Sequence, residues 1–263
     1  MKVGVISDVH GNLIALNAVI KDLEKKQVNE IWNLGDNIPK YTNPKEVMDF
    51  AKNDCTNIVK GNGENSVYNN PAYTYTRDLL GINMLNYIGN LPNYIDIKKG
   101  DNLIRMFHSS PYSFEHKYID KKYTKGTYYE DKTITDFDKM FENTSFLKNK
   151  KEIIKPNIVL SGHTHVAMAE KNNNKILINP GSVGEPVIFY KKNEKIKDVI
   201  GNYITYAILV FIDNEMTNYS IEYIDYTKII NSVRNKILIS DMATKKTMAN
   251  KLEESQKHFQ RSK

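Results

Sequence analysis

Apolar and polar positions fall into short alternating blocks at the start of the chain. Lys2–Ser7 is a β-rich apolar run that stops at Asp8. From Asn12 to Lys26, the residues Leu13, Leu16, Ala18, Val19, Ile20 and Leu23 recur at near-helical spacing, which predicts an amphipathic helix. Ile31–Leu34 reads as a second buried strand, closed by Gly35-Asp36. A second helix is expected to open at Asn43-Pro44, with Asn43 at the N-cap and Pro44 in the first turn. Thr56–Val59 is a third strand, closed by Gly61-Asn62. This strand–helix–strand–helix–strand order predicts parallel pairing through right-handed crossovers.

Beyond Tyr94 the pattern becomes strand-rich. Tyr94–Ile97, Leu103–Phe107, Ile158–Leu160, Val166–Glu170, Lys175–Ile178, Thr205–Phe211 and Asn218–Ile224 all read as strands. Asp101-Asn102 and Asn172-Asn173-Asn174 read as hairpin turns. Ile134–Lys148 is expected to be helical. Tyr112–Asp136, rich in Tyr and Lys but without periodicity, is expected to be a lid or excursion. With no internal repeat and no Pro-, Gly- or Ser-rich linker, residues 1–225 are expected to form one domain. Residues 226–263 are expected to be its C-terminal helical extension.

Composition narrows the class. The 263 residues are 40% hydrophobic and 26% charged, enough to build a packed core, which excludes a disordered chain. No run reaches the ~18–20 apolar residues of a membrane helix. The start, MKVGVISDVHGN, lacks the apolar region of a secretory leader. The one cysteine, Cys55, excludes a disulfide framework, and a cytoplasmic location is expected. The net charge is +6, from 37 Lys+Arg against 31 Asp+Glu. The lysines are interspersed with acids and no nucleic-acid-binding motif appears, so nucleic acid and membranes are not expected partners. A phosphate-bearing small molecule or nucleotide fits the charge. Homo-oligomerisation is left open.

The candidate chemistry lies where polar residues follow strands. Asp8 and His10 follow the first strand, Asp36 the second and Asn62 the third. His108 follows Leu103–Phe107, and His163 and His165 follow Ile158–Leu160. Of six histidines, only His116 and His258 fall elsewhere. Each residue alone has an ordinary explanation as a turn former or a hydrogen-bonded core residue. Together, at the carboxyl ends of strands in an α/β sheet, they should converge on one crevice. Carboxylate, amide and imidazole donors without thiolate suit Mn²⁺, Fe, Zn²⁺ or Ni²⁺. Seven ligands exceed the needs of one such ion and suffice for two, provided a carboxylate bridges. Two ions ~3.5–4 Å apart suit phosphoester hydrolysis.

This ordered set resembles the calcineurin-like metallophosphoesterases, in particular their compact bacterial and archaeal phosphodiesterase branch. The matching motifs are Asp8-Val9-His10, Gly35-Asp36, Gly61-Asn62, His108, Gly162-His163-Thr164-His165 and Asn179-Pro180-Gly181-Ser182. The resemblance implies a four-layer αββα sandwich of two mixed sheets, with two divalent ions, most simply Mn²⁺, at the strand ends. Asp8, His10, Asp36 and His165 would hold one ion, and Asp36, Asn62, His108 and His163 the other. Asp36, Asn62, His108 and His163 would also be the residues closest to catalysis by a metal-bridging hydroxide.

In many relatives a histidine directly after Gly-Asn protonates the leaving group; here Gly63 stands in its place. Without that acid, worth ~10²–10⁴-fold, good leaving groups should be favoured. Glu64 is expected to be a solvated helix-start carboxylate, with a supporting or acid role as the alternative. Thr164 is expected to support the two flanking imidazoles, and Tyr112 and Lys117 are candidate substrate contacts. The competing function is a protein-interaction scaffold on the same fold, of the kind the retromer subunit of this superfamily resembles. The complete ligand set argues against it.

Overall fold

The three short N-terminal apolar runs form the parallel centre of one sheet. The computed structural model describes residues 1–41, 43–119, 133–147, 155–192 and 195–227. In chain order the first half holds β1 (Lys2–Ile6), α1 (Leu13–Lys25), β2 (Glu30–Asn33), α2 (Pro44–Asp54), β3 (Asn57–Ile58), α3 (Asn62–Asn69) and α4 (Thr74–Gly89). Next come β4 (Tyr94–Lys99), β5 (Asn102–Phe107), β6 (Lys117–Tyr118), β7 (Thr133–Ile134), β8 (Ile158–Leu160), β9 (Met168–Asn172) and β10 (Lys175–Asn179). The described residues end with β11 (Val187–Lys192), β12 (Lys195–Ile200), β13 (Tyr203–Ile212) and β14 (Glu215–Asp225).

One five-stranded sheet has the order β14-β13-β1-β2-β3, the other β4-β5-β8-β10-β9. Both are mixed. β1, β2 and β3 run parallel, with β13 antiparallel to β1. β5, β8 and β10 run parallel between antiparallel β4 and β9.

Side-chain alternation along the strands builds the layers. Val3, Val5, Trp32, Leu34, Leu209 and Phe211 on the first sheet pack against Ile104, Met106, Ile158, Leu160 and Ile178 on the second. Each large side chain so buried contributes roughly 1.5–3 kcal/mol. The other face of the first sheet is covered by α1 through Ala15, Leu16, Val19 and Leu23. Its start is capped by the Asn12 side chain, which accepts the Ala15 N–H at 3.2 Å. Phe107, Val159 and Leu177, on the outer face of the second sheet, meet Tyr118, Ile134, Phe137, Met140 and Phe141. The architecture is the expected two-sheet α/β sandwich.

Three local differences stand out. Ile134 to Leu147 is not an α-helix: it ends β7 and continues as two 3-10 turns, Phe137–Phe141 and Ser145–Leu147. Asp136 accepts the Asp138 N–H at 3.0 Å and starts a tight turn. Phe137, Met140 and Phe141 have helical spacing, yet they serve as a short plug on the sheet. Second, α3 and α4 occupy a stretch for which no element was expected, packing through Val67, Leu80, Met84, Leu85 and Ile88 around Ile38 and Met48. Third, β11 and β12 form an antiparallel hairpin that the pattern did not predict. The expected helical extension, from residue 228 onward, and the centre of the 112–136 excursion lie outside the described residues.

Candidate metal centre

Six of the seven ligand-type residues sit on loops that continue the strands, and Asn62 is the first residue of α3. Backbone hydrogen bonds carry the parallel ladder past the strand ends. Asp8 N–H donates to Gly35 O (3.0 Å), His10 N–H to Asp36 O (2.9 Å), Gly11 N–H to Asn37 O (2.6 Å) and Gly162 N–H to His108 O (2.6 Å). The last of these belongs to the second sheet, so each sheet stacks its own pair of loops. Asp8, His10, Asp36, His163 and His165 all have left-handed backbones, with φ from 53° to 68°. For residues with a Cβ this costs on the order of 1–3 kcal/mol each, and such strain persists only where surrounding structure fixes it.

The side chains form two adjoining groups. Donor atoms of Asp8, His10 and His165 lie within 4.8 Å of one another, as do those of Asp36, His108 and His163. In the first group His10 Nε2 is 3.1 Å from His165 Nε2, which is 3.2 Å from Asp8 Oδ1. In the second, His108 Nε2 lies 3.2 Å from His163 Nδ1, 3.0 Å from Asn62 Oδ1 and 3.5 Å from Asp36 Oδ1. Asp36 reaches both: its Oδ2 is 3.9 Å from His10 Nε2. All seven residues therefore converge on one crevice spanning the two sheets.

This donor set fits divalent cations. Asp8 Oδ1 is buried without a hydrogen-bond partner, as is His10 Nδ1, and buried polar atoms of this kind call for an explanation. His108 donates its Nδ1–H to Leu34 O (2.8 Å) and His165 its Nδ1–H to Glu185 O (2.7 Å). Both rings thereby turn an Nε2 lone pair inward, as a metal-binding imidazole must. Burial would raise the Asp8 carboxyl, but the imidazoles of His165, His108 and His10 hold it well below the usual carboxylate range. Asp36 is pushed up by burial and by the neighbouring Asp8 charge. Burial, then Lys40, drives His10 far below the ordinary imidazole value; burial, then His108, does the same to His163. Neutral imidazoles beside carboxylates are what a cation needs.

Glu64 is not a solvated helix start. It is fully buried and accepts three backbone N–H groups: Asp36 (2.8 Å), Asn37 (2.6 Å) and Gly61 (2.9 Å). Its carboxylate closes the turn that aims Asp36, while burial and the Asp36 charge push it up to about 7. The Gly63 N–H donates to Asp36 Oδ1 at 2.6 Å. A Cβ on Gly63 would stand 1.9 Å from the Ile38 carbonyl oxygen, so this backbone admits no side chain at position 63.

The remaining candidates act at longer range. Thr164 Oγ1 receives the Asn179 side-chain amide (3.0 Å) and the Val166 N–H (3.2 Å), bracing the loop that carries His163 and His165. Asn179 also donates to Gly162 O (2.8 Å), and Ser182 Oγ donates to Asp8 O (2.8 Å). The Asn179–Ser182 turn thus supports the site from beneath. Tyr112 packs at the edge of the Phe107 cluster and donates its hydroxyl to Glu142. Lys117, on β6, acts on His163 through its charge. Sequence reasoning missed two residues altogether, Lys40 and Glu185. Lys40 Nζ lies 3.2 Å from His10 Nε2 and is paired with the Glu185 carboxylate. Neither residue type points to the site from the sequence; the fold brings them together.

Residues 1–197 match the model of the calcineurin-like phosphoesterase superfamily domain. The chain is 28% identical over 218 residues to the uncharacterized protein MJ0912 of Methanocaldococcus jannaschii, covering 70% of this chain and 76% of that protein. Its fold is similar to a metallophosphoesterase from Sphaerobacter thermophilus (TM-score 0.61, 22% identity, 90% of this chain and 92% of the other). It is also similar to the hypothetical protein PH1004 of Pyrococcus horikoshii (TM-score 0.62, 18% identity, 89% and 92%). With the family model spanning most of its length, the chain belongs to the calcineurin-like phosphoesterase superfamily.

Proposed function

We propose that this protein is a binuclear-metal hydrolase of phosphoesters, acting on phosphodiesters and on nucleotide-type esters with good leaving groups. The observation that supports it is the pair of adjoining donor groups, Asp8/His10/His165 and Asp36/His108/His163, with Asp36 within reach of both. Asp8, His10, Asp36 and His165 would hold one ion, and Asp36, Asn62, His108 and His163 the other. Mn²⁺ is the first ion to test, and Fe, Zn²⁺ and Ni²⁺ suit the same donors. Bound ions would supply Lewis acidity toward water and the phosphoryl oxygens.

The chain's own residues set the geometry. The carbonyls of Leu34 and Glu185 fix the tautomers of His108 and His165. Glu64 and the Gly63 N–H orient the Asp36 carboxylate. At position 63 no imidazole stands ready to protonate a departing oxygen, so cleavage should depend on how well the leaving group carries negative charge. The test is a series of phosphodiesters differing only in leaving-group pKa, assayed with the Mn²⁺-reconstituted protein. A steep dependence of kcat/KM is expected, with aryl and nucleotide-type esters far ahead of alkyl ones. No turnover of any phosphoester with any of the four metals would overturn the reading.

A further inference from the structure

Lys40 is placed with unusual care for a surface-loop lysine. Its loop is tied to the His10 segment on both sides, by the Gly11 N–H to Asn37 O (2.6 Å) and the Tyr41 N–H to His10 O (2.7 Å). Residue 40 itself has φ 132°, a conformation side-chain-bearing residues rarely adopt. Its ammonium is paired with Glu185, whose side chain is 1% exposed against 26% for Lys40. Glu185 is fixed in turn: its N–H donates to Ser182 Oγ (2.8 Å) and its carbonyl accepts His165 Nδ1–H (2.7 Å). The loop that orients Asp8 and His165 therefore also anchors Lys40. The partly exposed side of Lys40 lets a solute reach it.

A purely structural salt bridge does not need this location. The ammonium sits 3.2 Å from His10 Nε2, at the rim of a donor group suited to cations. A fixed positive charge there opposes cation binding, and Glu185 offsets it only in part. The placement makes chemical sense when the bound species is anionic. An ammonium has three N–H groups, and Glu185 occupies one. The His10 lone pair, the second acceptor, is the one a metal ligand would give up to its ion. The N–H now directed at His10 then faces the crevice, where an oxygen of the substrate can accept it.

Phosphoester geometry identifies that oxygen. A diester has two non-bridging oxygens, enough to face two ions. A terminal phosphate has a third, which in a diester is esterified and uncharged. We propose that Lys40, tethered by Glu185, is a specificity-determining residue whose ammonium donates to the third non-bridging oxygen of a terminal phosphate. It thereby admits phosphomonoesters, including the phosphate end of a nucleotide, beside phosphodiesters. This inference rests on the phosphoesterase reading above.

The test compares wild type with Lys40→Met, Lys40→Arg and Glu185→Gln, each reconstituted with Mn²⁺. Three quantities are measured: bound metal per chain, the dissociation constant for inorganic phosphate, and kcat/KM for a monoester and a diester sharing one aryl leaving group. Lys40→Met should keep both ions and bind phosphate at least ~10-fold more weakly, as loss of a charge-assisted hydrogen bond predicts. Its kcat/KM should fall at least ~10-fold further on the monoester than on the diester for the same reason. Lys40→Arg should recover most of the phosphate affinity, and Glu185→Gln should fall between. Unchanged phosphate affinity in Lys40→Met, an equal fall on both esters, or loss of a bound ion would overturn the proposal. If wild type binds two ions and phosphate yet hydrolyses neither ester, the proposed function fails, while the affinity difference still decides the role of Lys40. If wild type binds neither ions nor phosphate, both fail.

Discussion

At the scale of single residues, Asp36 and Glu64 form a unit that is easy to break and hard to replace. Asp36 faces His108 at 3.5 Å and His10 at 3.9 Å, so it touches both donor groups. Asp36→Asn removes one charge from the position that the proposed function shares between two cations, and activity should fall by at least ~10² even at saturating Mn²⁺. Near-normal turnover under those conditions would remove Asp36 from the shared position. Glu64 works one step back, as the acceptor for three buried N–H groups. In Glu64→Gln the amide presents an NH₂ to donors, leaving at least one N–H unpaired at roughly 1–3 kcal/mol. The variant should melt earlier and bind metal more weakly, yet keep the wild-type dependence on leaving-group pKa. A dependence that becomes steeper in the variant than in wild type would instead make Glu64 the proton donor. Asp8, Asp36 and the histidines were legible in the sequence because each follows an apolar run. Glu64, Lys40 and Glu185 were not, because their roles come from contacts between loops distant in the chain. A glutamate three residues after Gly61 reads as an ordinary exposed first-turn acid until the Asp36 turn folds over it.

At the scale of elements, the loop and helix around Gly63 set a limit that sequence could not reveal. The absent histidine is visible in Gly61-Asn62-Gly63, but the reason no side chain fits there is the Ile38 carbonyl, 1.9 Å from where a Cβ would be. Gly63→His should therefore destabilise the protein by a few kcal/mol, about 1–3 from overpacking, and should not speed hydrolysis of alkyl esters. A gain on alkyl substrates with unchanged melting would contradict the structure. A second contact pins the end of α1 to the sheet edge. Lys26 Nζ donates to Asp22 (2.8 Å), Glu222 (2.6 Å) and Tyr206 Oη (3.0 Å). Burial would raise Asp22, but bonds from Lys26 and Tyr206 bring it below its ordinary 3.8; Lys26 foremost brings Glu222 below its ordinary 4.5. A depressed carboxylate stabilises the fold above its unfolded pKa, and that gain is lost as pH falls through the folded value. Lys26→Met should thus cost ~1 kcal/mol near neutrality, a few degrees in Tm, and the difference should begin to shrink only as pH falls below the ordinary 4.5 and 3.8 of these two carboxylates. A difference that stays constant as pH falls to full protonation of both carboxylates would assign the effect to packing. Strands flanked by Gly-Asp or Asn turns were readable from the chain. α4 was not, because Gly81, with φ 70°, breaks it into two kinked pieces and scrambles the helical period. The spacing of Phe137, Met140 and Phe141 misled in the opposite direction, since a short plug of 3-10 turns can meet a sheet with the same residues.

At the scale of the whole molecule, the candidate centre joins the strand ends of the two sheets by polar chemistry. Asp8, Asp36 and Asn62 come from the ends of β1, β2 and β3, on the first sheet. His108, His163 and His165 come from the ends of β5 and β8, on the second. Between the sheets the contacts are apolar and directionless, led by Val5, Trp32, Met106 and Leu160. At the crevice, charged and hydrogen-bonding groups of one sheet face those of the other: Asp8 Oδ2 accepts the His163 N–H at 3.0 Å, and Asp8 Oδ1 lies 3.2 Å from His165 Nε2. Cations bound there would tie the layers together and draw on contacts that an unfolded chain cannot offer. Binding to the native state alone stabilises by RT ln(1 + [M]/Kd), about 2.7 kcal/mol at one hundred times Kd. At roughly 2–4 °C per kcal/mol for a chain of this size, one saturated site should raise Tm by about 5–10 °C, and two sites by more. Chelation should reverse the rise. Asp36→Asn, which weakens both sites, should abolish most of it, whereas Asn62→Ala should spare the share due to the Asp8, His10 and His165 group. A melting temperature indifferent to Mn²⁺, Zn²⁺, Ni²⁺ and Fe²⁺ would mean that these seven side chains meet without holding an ion. Equal loss in Asp36→Asn and Asn62→Ala would mean that the ions bind only as a pair.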